Sequence, residues 1–190
     1  MVEICRIDPA HGQDAQLKNE PFTLWGRMIP ALHDGVWSYR TERFAEEKEM
    51  CFPDEPYDLE KEKGIFLGAY EDGACIGLAV LRRHMFRYLY LDDLKVCRDR
   101  RRSGVGGRLI QACMEEAQTL GMIGIYTVGQ DNNLSGACFT SARGFPSAVL
   151  TIGPIAVRSR RTRRISISIG IWNRMKKGGT CVPPFFVSKP

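Results

Sequence analysis

What this chain lacks narrows its chemistry before any motif is considered. Among 190 residues there are three histidines, His11, His33 and His84, and they are not spaced as ligands. The seven cysteines, at positions 5, 51, 75, 97, 113, 138 and 181, include no Cys-x-x-Cys pair, so buried reduced thiols are expected rather than a zinc site or a disulfide framework. No metal is expected. No apolar run reaches the roughly eighteen residues of a membrane helix, and Met1-Val2-Glu3 opens no signal segment. The expectation is therefore a cytoplasmic globular protein with one sizeable core and no membrane partner. Acid is missing from the end of the chain: all 22 Asp and Glu precede residue 132, while residues 132–190 hold ten Lys and Arg.

Arg101-Arg102-Ser103-Gly104-Val105-Gly106-Gly107 is the most informative stretch that is present. Before it, Tyr88 to Val96 is aromatic and apolar with partial alternation, which reads as a half-buried strand. After it, Val105, Leu109, Cys113, Ala117 and Leu120 recur at helical spacing, with Gly121 as a C-terminal stop. A glycine turn between strand and helix can grip phosphate, because the first helical turn has unpaired N–H groups at the positive end of the dipole. Arg101, Arg102 and Arg108 would add charge-assisted donors. A Walker loop would need a Gly-Lys-Ser/Thr ending, and a dinucleotide fingerprint would need Gly where Leu109 stands. Neither fits, and a solvated turn is the plain alternative.

Downstream, Met122 to Val128 reads as a second strand, parallel to the first through the intervening helix. Gln130-Asp131-Asn132-Asn133 reads as a polar turn with Asn caps, and Leu134 to Ala142 as a short helix ending at Gly144-Phe145. Upstream, Gly64 to Tyr70 and Ala74 to Leu81 flank Asp72-Gly73 as a hairpin, and Val2 to Ile7 reads as a strand. Phe22 to Phe44 mixes aromatic with polar residues, and Glu46 to Lys63 is acid-rich, with Pro53 and Pro56 to interrupt helix. Either this region is a lid over a bound acceptor or it is helix and loop packing aromatics into the core, the latter being preferred for Phe22 and Trp25.

Arg-x-x-Gly-x-Gly opening a helix, then a strand, then Asn-x-x-x-Ala-x-Phe and Gly-Phe, resembles the cofactor half of the GNAT superfamily of acyl-CoA-dependent N-acetyltransferases. Within it, the stretches 19–22, 26–30, 34–39, 91–96 and 130–133 resemble streptothricin acetyltransferase-like proteins. The likeness runs from about Asn19 to Phe145. It implies an α/β (α+β) fold, a mixed central sheet flanked by helices with a splayed parallel strand pair. It also implies a GNAT domain over 1–145 followed by an atypical basic segment, 146–190. Acetyl-CoA is the implied co-substrate and the amine of a small molecule, such as a streptothricin-like antibiotic, the implied acceptor, with a homodimer as the only further assembly considered.

The same resemblance implies that Leu94, Lys95, Val96 and Cys97 offer backbone groups to the acetyl and pantetheine part. Arg101 to Gly107 would hold the pyrophosphate, with Asn133 and Phe139 beside the arm. The chemistry needs an ammonium to lose a proton before attack, since it titrates near ~10, so a nearby carboxylate helps. Asp92 is favoured as base or ammonium anchor, with Asp93 second. Alternation would send their side chains to opposite faces, and the alternative is that one caps a bulge while the other is solvated. The family often assigns protonation of the departing thiolate to a Tyr after the Phe matching Phe139; here Thr140 stands there, a poor donor, so either CoA leaves as a thiolate, or water donates, or the activity is impaired. Val128 replaces a carboxylate common in close relatives.

Two other readings compete. A non-catalytic acetyl-CoA-binding domain would account for Thr140 and Val128. A nucleic-acid-associated protein would rest on the basic run 158–164 alone and is not the expected function. The tail also fits an out-of-frame origin: reading from the third base of the Ala148 codon can yield Gly-Leu-Asp-Asn-Arg-Pro-Tyr-Arg-Gly-Thr, similar to the family's closing strand. Ile165 to Ile171 nevertheless alternates like an edge strand, and Pro183-Pro184 should end the chain in loop.

Overall fold

A computed structural model describes residues 1–34, 36–84, 87–142, 147–150 and 167–173. Gly144-Phe145, the run 158–164, Cys181 and Pro183-Pro184 lie outside these residues. In chain order the elements are β1 (Glu3–Arg6), β2 (Phe22–His33), β3 (Val36–Met50), β4 (Gly64–Glu71), β5 (Ala74–Arg83), β6 (Tyr88–Val96), α1 (Val105–Thr119), β7 (Gly124–Gln130), α2 (Leu134–Ser141), β8 (Ser147–Leu150) and β9 (Ile167–Asn173).

Seven strands form one mixed sheet in the order β1-β4-β5-β6-β7-β9-β8, with β6 and β7 parallel and the other neighbours antiparallel. Asp72 and Gly73 both take positive φ, 52° and 80°, as a two-residue turn between twisted strands requires. The parallel pair exists because α1 carries the chain back across the sheet, ending at Leu120 with Gly121 at φ 66°. β7 begins two residues later than the apolar run suggests and takes in Gln130.

Alternation along β5 divides the core. Ala79 and Leu81 join Leu89, Leu91 and Ile125 beneath the apolar stripe of α1, Val105, Leu109, Ile110, Cys113, Met114 and Ala117. Leu78 and Val80 pack on the opposite face with Ile7, Ala15 and Phe66. A strand covered on both sides reads as a continuous apolar run, which is why Ile76 to Leu81 shows no polar position.

The region 22–50 corrects the helix-and-loop expectation. It is a long two-stranded sheet, β2 on β3, in register from His33↔Val36 to Phe22↔Met50 with an irregularity between Leu24 and Gly26. Asp34 stands at φ 50°, so Asp34-Gly35 was the overlooked hairpin signal. Phe22 and Trp25 are not core. Phe22 lies half-buried against Phe52, and the Trp25 indole donates to Ser135 Oγ at 2.7 Å, while the Met28 side chain is buried. Gly26 is required where the sheet meets α2: a Cβ there would stand 2.6 Å from the Glu42 carbonyl oxygen and 2.9 Å from Leu134 Cδ2.

Two further expectations change. β9 does form in the tail, but it lies between β7 and β8, so the edge strand is β8. Of the six described cysteines, all free, only Cys113 is buried. Burial pushes its thiol up to about 12.

Leu109 is fully buried between α1 and the sheet. Leu109→Ala should cost roughly 2–5 kcal/mol of unfolding free energy, read as a lower urea midpoint at constant m. A loss below about 0.5 kcal/mol, the range of surface changes, would mean that α1 does not carry the core.

Candidate active site

β6 and β7 pair only from Tyr88↔Gly124 to Leu91↔Thr127 and then part. Thr127 Oγ1 donates to the Leu91 carbonyl at 2.8 Å at the base of the fork. Beyond it a cleft of about 240 Å³ opens, lined by Asp92, Asp93 and Leu94 on one side, Val128 and Gln130 on another, and Asn133, Phe139 and Thr140 of the α2 segment on a third. Asp93 to Val96 keep their β5 partners, and none of the residues from Asp92 to Val96 has a partner in β7, so this stretch borders the fork.

The two carboxylates do not take opposite faces as simple alternation predicts. Val80 pairs with Asp93 and Leu81 with Leu91, which leaves Asp92 as the extra residue of a β-bulge. A bulge re-aims side chains, and here both carboxylates line the cleft. Asp92 Oδ2 accepts from Arg82 Nε at 2.5 Å, and the same guanidinium reaches Glu62 Oε2 at 2.5 Å. Asp93 Oδ2 accepts from the Tyr57 hydroxyl at 3.0 Å and lies 2.9 Å from Lys95 Nζ. Burial and then the Asp93 charge hold the Tyr57 phenol well above its ordinary value, so it stays a donor. Bonds to Asp92 and Glu62 likewise raise the already permanent Arg82 cation.

Tyr57, Glu62 and Arg82 carry no motif signal. Tyr57 and Glu62 sit in the acid-rich stretch between β3 and β4, which Gln16 pins by accepting from Tyr57 N and donating to Tyr57 O at 2.7 Å. Only their meeting with Asp92 and Asp93 across the fold gives them meaning.

The glycine loop has the geometry of an anion cradle. Arg102 and Gly104 take positive φ, 68° and 92°, and no side chain caps the start of α1, so the N–H groups of Val105, Gly106 and Gly107 point outward uncapped. Gly106 is needed for contact: a Cβ there would come within 3.0 Å of the Phe139 ring. Ser103 Oγ donates to the Arg100 carbonyl at 2.6 Å. Arg102 and Arg108 are exposed.

Arg101 departs from the expectation of a phosphate ligand. Its Nε donates to Val96 O at 3.1 Å, Nη1 to Pro21 O at 2.7 Å and Nη2 to Glu20 O at 3.2 Å. Cys97 N is likewise taken, by the Ile76 carbonyl at 2.9 Å, and its thiol is pushed up by burial. The Lys95 side chain turns to Asp93 and lies 5.8 Å from the Tyr57 ring centre. In α2, the Asn133 side chain caps the helix by accepting from Gly136 N at 2.9 Å. Thr140 Oγ1 bonds the Gly136 and Ala137 carbonyls at 3.1 and 3.0 Å, which commits its proton to the helix backbone.

A mixed sheet with a parted parallel pair, carboxylates on the β6 arm and an uncapped helix start just beyond that arm is the arrangement of an enzyme that binds a phosphate-bearing thioester along a strand edge and moves its acyl group. The model of the acetyltransferase (GNAT) family matches residues 29–145, and the chain belongs to that family of acetyl-CoA-dependent acetyltransferases. Streptothricin acetyltransferase A of Bacillus subtilis (strain 168) is 34% identical over 146 residues, covering 75% of this chain and 84% of that protein. Among solved structures, a Bacillus anthracis str. Ames protein provisionally named a streptothricin acetyltransferase, solved with acetyl coenzyme A, superposes with TM-score 0.79 at 21% identity, covering 92% of this chain and all of that one. Nourseothricin acetyltransferase superposes with TM-score 0.69 at 18% identity, covering 90% of this chain and 96% of that one.

At Gly104 a Cβ meets nothing within 4 Å, so its requirement is conformational alone. Gly104→Ala should weaken acetyl-CoA binding by about tenfold as roughly 1–2 kcal/mol of left-handed strain is relieved by opening the loop. Calorimetric titration checks this, and unchanged affinity in a folded variant would remove the loop from the cofactor site.

Proposed function

We propose that the protein acetylates a primary amine of a small molecule of the streptothricin type. The observation that carries this reading is the pair of carboxylates brought to one cleft by the bulge at Asp92, in a chain similar along three quarters of its length to a streptothricin acetyltransferase. The acceptor arrives as an ammonium, which Asp92 and Asp93 attract and orient at the fork. Deprotonation then falls to Asp92, directly or through one water. Arg82 and Lys95 offset the charge of the two carboxylates and hold each in place.

Acetyl-CoA supplies an activated acetyl group. The residues that fit it are the uncapped N–H groups of Val105 to Gly107 with Arg102 for the pyrophosphate, and the edge of Asp92 to Val96 that β7 leaves unpaired, apart from the Val96 carbonyl held by Arg101, for the amide-bearing arm. Phe139 closes that channel against Gly106. Thr140 supplies no good acid, so solvent protonates the leaving thiolate, or the thiolate departs unprotonated.

Acceptor-dependent thiol release, measured over a panel of amines that includes streptothricin, tests the function. Asp92→Asn should lower kcat/KM by about 10² with acetyl-CoA affinity unchanged. Thr140→Tyr should raise kcat severalfold by restoring a phenol at that position. Acetyl-CoA binding with no turnover of any amine would favour the non-catalytic alternative that Thr140 raises.

A further inference from the structure

Arg101 stands first in the loop whose backbone forms the phosphate cradle, yet its guanidinium faces away from that task. All three of its nitrogens bond backbone carbonyls, one on β6 at Val96 and two on the segment that leads into β2, at Pro21 and Glu20. Glu20 strengthens the joint from the other side, its Oε2 accepting from Arg98 N at 2.5 Å and lying 3.9 Å from Arg101 Nη2. Arg98 also approaches Glu49 on β3 at 3.6 Å. The β2–β3 hairpin is thus tied at its base to the turn between β6 and α1.

The hairpin has a second attachment at the other wall of the cleft. Met28 N donates to Asp131 O at 2.9 Å, Gly26 bridges to Asn133, and Trp25 reaches Ser135. Met28 itself lines the cleft. One element therefore spans from the cofactor loop to the α2 cap, and only the Arg101 joint connects it to the loop by side-chain donors fanned across two separate segments. A planar guanidinium can serve three carbonyls at fixed angles; an ammonium cannot.

We propose that Arg101 is a positioning residue of acetyl transfer, a strap that sets the acceptor-side hairpin against the cofactor loop, and not a ligand of the acetyl-CoA pyrophosphate. Occupancy of the loop then steadies the hairpin, and loss of the strap loosens acceptor binding without loosening cofactor binding. Only the kinetic arm of the test rests on the acetyl-transfer reading.

The test compares Arg101→Lys, Arg101→Gln and Arg102→Gln by acetyl-CoA titration at two salt concentrations, by amide hydrogen exchange over residues 22–50 and in α1, and by acceptor kinetics. With a strap, both Arg101 variants hold acetyl-CoA within about threefold of wild type with the same salt dependence, speed exchange in the hairpin but not in α1, and raise acceptor KM about tenfold more than they lower kcat. Arg102→Gln does the reverse, weakening acetyl-CoA and leaving hairpin exchange alone. The proposal is overturned if Arg101→Gln weakens acetyl-CoA about tenfold with a flatter salt dependence while Arg101→Lys restores it, the pattern of a phosphate contact. Unaltered hairpin exchange in both Arg101 variants overturns it as well. If wild type acetylates no amine, the functional reading falls, while exchange and titration still decide the strap; if Arg101→Gln does not fold, Arg101→Lys decides by the same two measurements.

Discussion

The parting of β6 from β7 after Leu91 and Thr127 is the constraint from which the site follows. In a closed parallel sheet every inner strand edge is satisfied and nothing can bind along it. Here the bulge at Asp92 displaces β6 just where the pairing ends, and α2 fills the angle with side chains of modest size. The exposed edge must then find hydrogen bonds elsewhere, and its spacing suits an amide-bearing ligand laid between the strands. The fork costs sheet hydrogen bonds in the free protein. A fully apolar layer beneath α1 offsets that cost.

Charge follows the same division of the sheet. The face under α1 is apolar from Val105 to Ala117, whereas the bulged stretch of β6 faces Arg82, Lys95, Glu62 and Tyr57. Both carboxylates border the same cleft, each has its own cation, and Tyr57 donates a further hydrogen bond to Asp93. The pairs are partly exposed, so their worth to stability is small and their worth to orientation is larger. The geometry of this partly desolvated surface is already set by side chains from β5, β6 and the acid-rich segment.

Local patterns made the cofactor half legible. The Asp72-Gly73 turn, the stripe from Val105 to Ala117 and the Asn133 cap are each decided by residues within one or two turns of one another, and they formed where their spacing indicated. The acceptor half was not legible in this way. Phe22 to Met50 pairs as two long strands in which Phe22 and Trp25 looked like core, and the decisive signal, Asp34-Gly35, occupies two residues. The direction of Asp92 was obscured because one extra residue reverses a period of two, and bulges leave no mark in composition. The contacts of Arg101 were hidden for a related reason: a motif specifies a backbone path, while the partner of a long side chain depends on Glu20 and Pro21, some eighty positions away.

The substitution at position 140 shows how far helix chemistry constrains the site. A Thr within α2 finds the Gly136 and Ala137 carbonyls one turn back, so its hydroxyl is drawn to the backbone even though the residue borders the cleft. A phenol cannot fold back in this way, because its oxygen lies too far from its own Cα, and it must project into the cleft. The difference between Thr and Tyr is therefore one of direction as well as acidity. The same reasoning separates the cradle from the helix: the uncapped N–H groups of Val105 to Gly107 belong to the backbone, whereas the hydroxyl at position 140 belongs to one side chain. Catalysis can fade in such a chain while the cofactor cradle persists.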